Sequence, residues 1–210
     1  MENLSRREKE KQTREEDILN AAEKIFADVG YSGASMEEIA KEAQFTRKTV
    51  YQYFADKEDL YFAVVLRGFQ RLLGYFHEEI GNGSTGFEKL QLLGSAYYRF
   101  YQDFPRTFEL MNYVGYVKSK KENSIKQQEF NKINELMSQE VAKVIDEGRA
   151  DGSIRSDLDT MKVTYSAEFI ITGFFHQLSI AGRTFTAHFS LDQEEFVNFN
   201  LNLLIDIFRA

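Results

Sequence analysis

The chain of 210 residues contains no cysteine. That absence excludes a disulfide framework, a cysteine-ligated zinc or iron–sulfur centre and a cysteine nucleophile. Proline occurs once, at Pro105, and glycine thirteen times. So few chain breakers leave room for long helices. Long apolar runs are also missing. Those present, such as Phe62 to Leu66, fall far short of the roughly 20 residues that a membrane span needs. The first fourteen residues hold one large aliphatic residue after Met1 and lack the apolar core of a secretory signal. The expected setting is the cytoplasm, with no membrane partner. An excess of basic charge is lacking as well. Lys and Arg number 26 against 33 Asp and Glu, a formal net charge of −7. A bulk cationic footprint for nucleic acid is therefore absent, and on charge alone DNA is a poor candidate partner.

What is present reads almost entirely as helix. Residues 1–14 hold five basic and three acidic residues, and we expect a mobile basic arm. Ile18, Leu19, Ala22, Ile25, Phe26 and Val29 then form one apolar stripe of a 3.6-residue repeat, broken by Gly30 and Gly33. Ser35-Met36-Glu37-Glu38 matches the S-x-x-E capping box and opens a short second helix with Met36, Ile39, Ala40 and Ala43 inward. Thr46 is a good N-cap for a third, from Arg47 to about Phe54, and Asp56 for a fourth, running to about Ile80. Further helices are expected at about 87–104, 106–118, 122–148, 157–181 and 191–208, with no strands. The fold class is all-α. The expected organisation is an arm at 1–14, a three-helix unit at 15–57 and a larger helical domain at 58–210.

Three helices in so short a stretch, the last two short and joined by a tight turn, suggest a helix-turn-helix. On the third helix Val50 and Phe54 form an inward pair. Lys48, Tyr51 and Gln52 point away from it, with Arg47, Thr49 and Tyr53 on the flanks. Such a face suits a DNA major groove. Lys, Arg and Gln can hydrogen-bond guanine or adenine edges, and a tyrosine ring can meet a thymine methyl. Flanking hydroxyls and Lys57 are placed to reach phosphates.

Residues from about 14 to 60 resemble the DNA-binding domain of the tetracycline-repressor (TetR) family of transcriptional regulators. The resemblance is carried by Ile18-Leu19-Asn20-Ala21-Ala22, Phe26, Gly30-Tyr31, Ser35-Met36-Glu37-Glu38-Ile39-Ala40 and above all by the run from Thr46 to Leu60. Many members have glycine where this chain has Lys48. The resemblance implies backbone-phosphate contacts for Thr46, Thr49, Tyr53 and Lys57. It implies base or groove contacts for Arg47, Lys48, Tyr51 and Gln52, with Ser35 counted in the DNA-contacting set. It further implies a helical, ligand-responsive dimerisation domain beyond residue 60.

That larger domain is rich in aromatic residues. The expected ligand-binding set is Tyr97, Tyr101, Phe104, Phe108, Met111 and Tyr113, joined by Met137, Phe169, Phe174 and His176 from later helices. Buried tyrosines need partners for their hydroxyls, which suits the border of a cavity. A small lipophilic or aromatic effector is the expected ligand. The last two helices carry apolar residues nearly all round, and Ile170, Phe174, Leu178, Phe199, Leu203 and Ile207 are expected at a homodimer interface. Two recognition helices would then read a near-palindromic operator in double-stranded DNA.

Other signals carry less. Gly81-Asn82-Gly83-Ser84-Thr85-Gly86 spells G-x-G-x-x-G, but it follows a helical pattern and not a strand, so it reads as a helix connection. His77, His176 and His188 lack metal-ligand spacing, and no G-x-S-x-G nucleophile motif occurs. The expectation is no enzyme, no metal and no cofactor. The function expected is a ligand-responsive DNA-binding repressor released by its effector. An activator of the same family, or a small-molecule carrier with a vestigial DNA-binding domain, are the alternatives.

Overall fold

A computed structural model describes residues 5–113 and 125–210. The helices are α1 (Arg6–Gly33), α2 (Met36–Glu42), α3 (Arg47–Val50), α4 (Lys57–Ile80), α5 (Gly86–Asp103), α6 (Pro105–Tyr113), α7 (Ile125–Asp151), α8 (Thr160–His188) and α9 (Gln193–Asp206). The described residues contain no strand, and one isolated antiparallel bridge joins Ile154 to Arg209. The expected extension of the sixth helix to 118 and the start of the seventh at 122 lie outside the described residues. No described helix is long and apolar enough to cross a membrane.

The chain divides into two compact units, with the boundary inside α4 between Gly68 and Phe69. The first unit takes in the chain up to Gly68 and the segment from Tyr113 to Phe130. Its core grows from the apolar stripe of α1, where Ile18, Leu19, Ala22 and Phe26 are buried. α1 starts at Arg6, and not near Ile18 where its apolar stripe begins. Ser5 accepts the Glu8 amide while Glu8 accepts the Ser5 amide, a reciprocal cap that starts the helix within the expected arm. Residues 6–14 are thus helical, and fully exposed. Gly30, at φ 74°, supplies the left-handed kink near the end of α1.

The Ser35 capping box forms as the sequence indicates. Gln44, at φ 59°, makes the tight turn from α2 towards Thr46. Thr46 caps α3 by accepting the Thr49 amide. α3 is shorter than expected. It ends at Val50, and the chain passes through a turn in which the Gln52 and Tyr53 amides bond three residues back. Val50 and Phe54 are nonetheless both buried, as the helical phase requires. Asp56 accepts the Asp59 amide and Asp59 accepts the Ala55 amide, which together start α4.

The second unit takes in Phe69–Asn112 and Asn131–Ala210. Within it α9 packs on both α5 and α8. α5 begins at Gly86, whose amide donates to the Asp151 carboxylate at 2.7 Å. The connection Gly81 to Gly86 is a helix–helix turn without a preceding strand. An added Cβ on Gly86 would lie 2.2 Å from the Gly148 backbone, so glycine is needed for this crossing of α5 and α7. α8 starts later than expected because Asp159 caps it, and it runs on to His188. α8 continues through Gly182, where an added Cβ would meet the Leu178 side chain at 2.8 Å.

Candidate nucleic-acid interface

The outward side of the α2–α3 pair is built by short-range bonds. The Thr46 hydroxyl accepts the Thr49 amide at 3.1 Å and lies 2.9 Å from the Thr49 hydroxyl. These bonds hold the start of α3 while Val50 and Phe54 anchor it from beneath. Thr46, Arg47, Lys48, Tyr51 and Gln52 are exposed, and Thr49, Tyr53 and Lys57 are half-buried. The Arg47 guanidinium sits 5.5 Å from the Tyr51 ring centroid and donates to its hydroxyl at 3.5 Å. The pair forms a planar, cationic edge of a kind that can stack or donate to bases. Lys48 and Gln52 make no side-chain hydrogen bond or ion pair among the described residues.

Ser35 and Lys57, both expected to touch DNA, also have internal partners. The Ser35 hydroxyl is engaged in its capping box, donating to Glu38 at 2.7 Å. The Lys57 ammonium donates to the Tyr31 carbonyl at 2.7 Å and to the Ala34 carbonyl at 2.8 Å, and lies 4.7 Å from the Tyr31 ring centroid. A cation at the carbonyl end of α1 is well placed against the helix dipole. An ammonium has three N–H donors, so one remains for a phosphate.

Arg67 is a buried cation that no local sequence pattern marks. It is 8% exposed, and its guanidinium donates to Glu16 at 3.0 Å, to Asn20 at 2.8 Å and to Glu23. These three acceptors lie on successive turns of α1, so Arg67 ties α4 to α1 within the first unit. The only sequence signal was an arginine amid the apolar residues of α4.

In the second unit part of the expected ligand-binding set comes together. The Tyr97 ring lies 5.8 Å from Phe108 and 5.0 Å from Phe175, and Tyr101 lies 5.2 Å and 5.4 Å from the same two rings. Burial pushes the Tyr97 hydroxyl up to about 12, offset in part by a hydrogen bond with Thr172. Met111 and Met137 are buried. Phe104 packs apart from this cluster, against Tyr75 and Phe100. His176 is half-buried, and its carbonyl accepts the Ser179 hydroxyl.

Two expected ligand residues are elsewhere. Phe169 is 84% exposed, lying about 120° round α8 from the buried Phe175. Tyr113 belongs to the first unit, with its ring 6.4 Å from Tyr61.

The expected interface residues divide similarly. Phe199 is 65% exposed and Leu203 60%, with Ile170 and Ile207 also exposed. Phe174 is half-buried against Phe175 and Phe196. Contrary to the expectation, Leu178, at 6%, is core and not an exposed interface residue.

A family model of bacterial regulatory proteins of the tetR family matches residues 18–64, which span the capped turn and the exposed α3 face. Over that segment the chain is similar to the tetR family's regulatory proteins. Two curated relatives, both HTH-type by name, illustrate the match. The transcriptional activator FasR of Mycolicibacterium smegmatis is 29% identical over 100 residues, covering 48% of this chain and 46% of that protein. The transcriptional regulator UidR of Escherichia coli is 41% identical over 63 residues, covering 30% and 32%. The chain thus spans less than half the length of these curated relatives. Among solved structures, the transcriptional regulator FadR from Bacillus subtilis in complex with stearoyl-CoA superposes with a TM-score of 0.72 at 22% identity. That match covers 90% of this chain and 97% of the other. The two chains therefore share a fold over most of their length, while the family-model match lies in the first unit.

Proposed function

We propose that this protein is a ligand-responsive transcriptional regulator that binds double-stranded DNA through the exposed face of α3. The observation that carries the proposal is that face itself. Arg47 and Lys48 on the capped helix, and Tyr51 and Gln52 in the turn that follows it, are exposed above the buried Val50 and Phe54. Thr46, Thr49, Tyr53 and the remaining donor of Lys57 flank it, placed for phosphates. The protein acts in the cytoplasm as a regulator and not as an enzyme, with no metal or cofactor required.

The protein works as a homodimer. The exposed apolar residues of α8 and α9, among them Ile170, Phe199, Leu203 and Ile207, support this, because a monomer rarely leaves so much apolar surface in water. A two-fold dimer reads a near-palindromic operator. The effector is a lipophilic molecule held among the aromatic side chains of α5, α6 and α8. The stearoyl-CoA bound by the FadR structure makes a long-chain acyl thioester the first candidate. Binding of the effector releases the operator, so the protein represses. The name of FasR, an activator, favours the second direction, in which the same complex activates.

Selection of bound duplexes from a random pool, repeated with stearoyl-CoA, tests the proposal. Enrichment of an inverted repeat that stearoyl-CoA abolishes is the expected result. No enrichment would favour a small-molecule carrier whose first unit no longer reads DNA.

A further inference from the structure

Asn112 lies near the end of α6, within the second unit. Its side-chain Nδ2 is buried and has no hydrogen-bond partner among the described residues. Protein interiors seldom leave an amide nitrogen in this state, because an unmade hydrogen bond carries the full cost of taking the group out of water. Arg67 and Arg149 also hold buried nitrogens without partners. Both guanidiniums are nonetheless anchored through their other nitrogens, Arg67 on Glu16, Asn20 and Glu23, and Arg149 on Thr160. The Asn112 amide nitrogen has no comparable anchor.

The place of Asn112 on α6 indicates what supplies the partner. It follows Phe108 by four residues, so the two share a face of the helix one turn apart. Phe108 is fully buried, with its ring 5.8 Å from Tyr97, 5.2 Å from Tyr101 and 6.1 Å from Phe175. Met111, beside Asn112 in the chain, is buried too. The Asn112 amide therefore stands one turn along α6 from the aromatic cluster to which the effector is assigned. In that cluster the Tyr97 hydroxyl already has Thr172 as its partner. The Asn112 donor is not taken.

An amide nitrogen donates and does not accept, so the missing partner is an acceptor. A buried water needs two to four polar partners, and the neighbouring positions Phe108 and Met111 offer apolar side chains. A hydrocarbon tail has no acceptor at all. A carbonyl oxygen accepts the hydrogen bond without bringing a charge into an apolar site.

We propose that the Asn112 amide holds the carbonyl oxygen of an acyl effector, and so selects acyl compounds over alkyl compounds of the same length. The proposal rests on the effector reading given above, in which a long-chain acyl thioester is the first candidate. Asn112 is then a specificity-determining residue. Its donor is unpaired in the free protein and becomes paired when the acyl group enters.

The test is calorimetric titration of the full chain with two probes, stearoyl-CoA and S-octadecyl-CoA. The second is a thioether with a methylene where the first has its carbonyl. The parent should bind stearoyl-CoA about tenfold more tightly. Asn112→Leu keeps a side chain of similar shape and removes the donor. It should bind the two probes alike, with its affinity for S-octadecyl-CoA no weaker than the parent's. Its urea midpoint should be no lower than the parent's, because an unpaired buried donor is gone.

Equal binding of both probes by the parent would overturn the inference while leaving the acyl effector reading in place. So would an Asn112→Leu variant that keeps the tenfold preference, or one that loses both probes equally. A parent that binds neither probe would overturn the acyl effector reading and this inference with it.

Discussion

Lys57 donates from its ammonium to the carbonyl of Tyr31 at 2.7 Å while lying 4.7 Å from the centre of the same residue's ring. One side chain thereby closes the end of α1 and fixes the start of α4, on either side of the helix-turn-helix. Lys57→Ala removes two charge-assisted hydrogen bonds and should cost about 2 kcal/mol of stability. Urea unfolding measures the loss. A variant as stable as the parent would show that the two carbonyl contacts are dispensable.

Arg67 is the second tie between the same helices. Replacing it by Met leaves the carboxylates of Glu16 and Glu23 facing α4 without the guanidinium between them. Breaking a buried ion pair from one side costs about 3 kcal/mol. Adding Glu23→Met to Arg67→Met should recover part of that loss, because the stranded carboxylate is then gone. Strictly additive losses in urea unfolding would show that the two residues do not interact.

How much of this was legible from the chain depends on the distance over which each feature is set. The Ser35 and Thr46 caps were legible because their partners lie three residues away. So was the inward pair Val50 and Phe54, which needs only helical phase. The Ser5 cap was equally local, but no apolar stripe follows it, and a solvated charged helix looks like a tail. Lys57 and Arg67 take partners more than twenty residues away, which no local pattern reveals. Phe169 and Phe175 look alike in sequence, and only the orientation of α8 against its neighbours separates the exposed ring from the buried one. The family-model match lies in the first unit for a related reason. A helix that reads DNA constrains its residue types, whereas an apolar bundle core accepts many.

The crossing at Gly86 admits no side chain. A Cβ there would meet the Gly148 backbone at 2.2 Å, and backbone cannot turn aside as a flexible side chain can. Gly86→Ala should force α5 and α7 apart and cost more than about 2 kcal/mol. A thermal melt of the variant within a degree or two of the parent would contradict the close approach.

Glu168 gives a pH signature. Burial raises its carboxyl above the ordinary carboxylate value, and the hydroxyl of Ser138, 3.0 Å away, pulls it partly back. The fold therefore favours the neutral acid. Below the unfolded value of 4.5 the group is neutral in both states and costs nothing. As pH rises through the raised folded value, the stability associated with the neutral form is lost. Glu168→Gln removes that dependence, so its melting temperature should match the parent's in acid and exceed it near neutrality. A difference that stays constant over the same range would mean that Glu168 is not desolvated.

The most direct test of the central claim is the base preference of α3 variants. Lys48→Ala and Gln52→Ala are measured against a panel of duplexes carrying every single base-pair change in the selected operator. The account predicts that each variant relaxes preference at one or two positions, by about 1–3 kcal/mol, and leaves the others unchanged. A uniform loss across the whole panel, or no loss at all, would contradict recognition of DNA by this face.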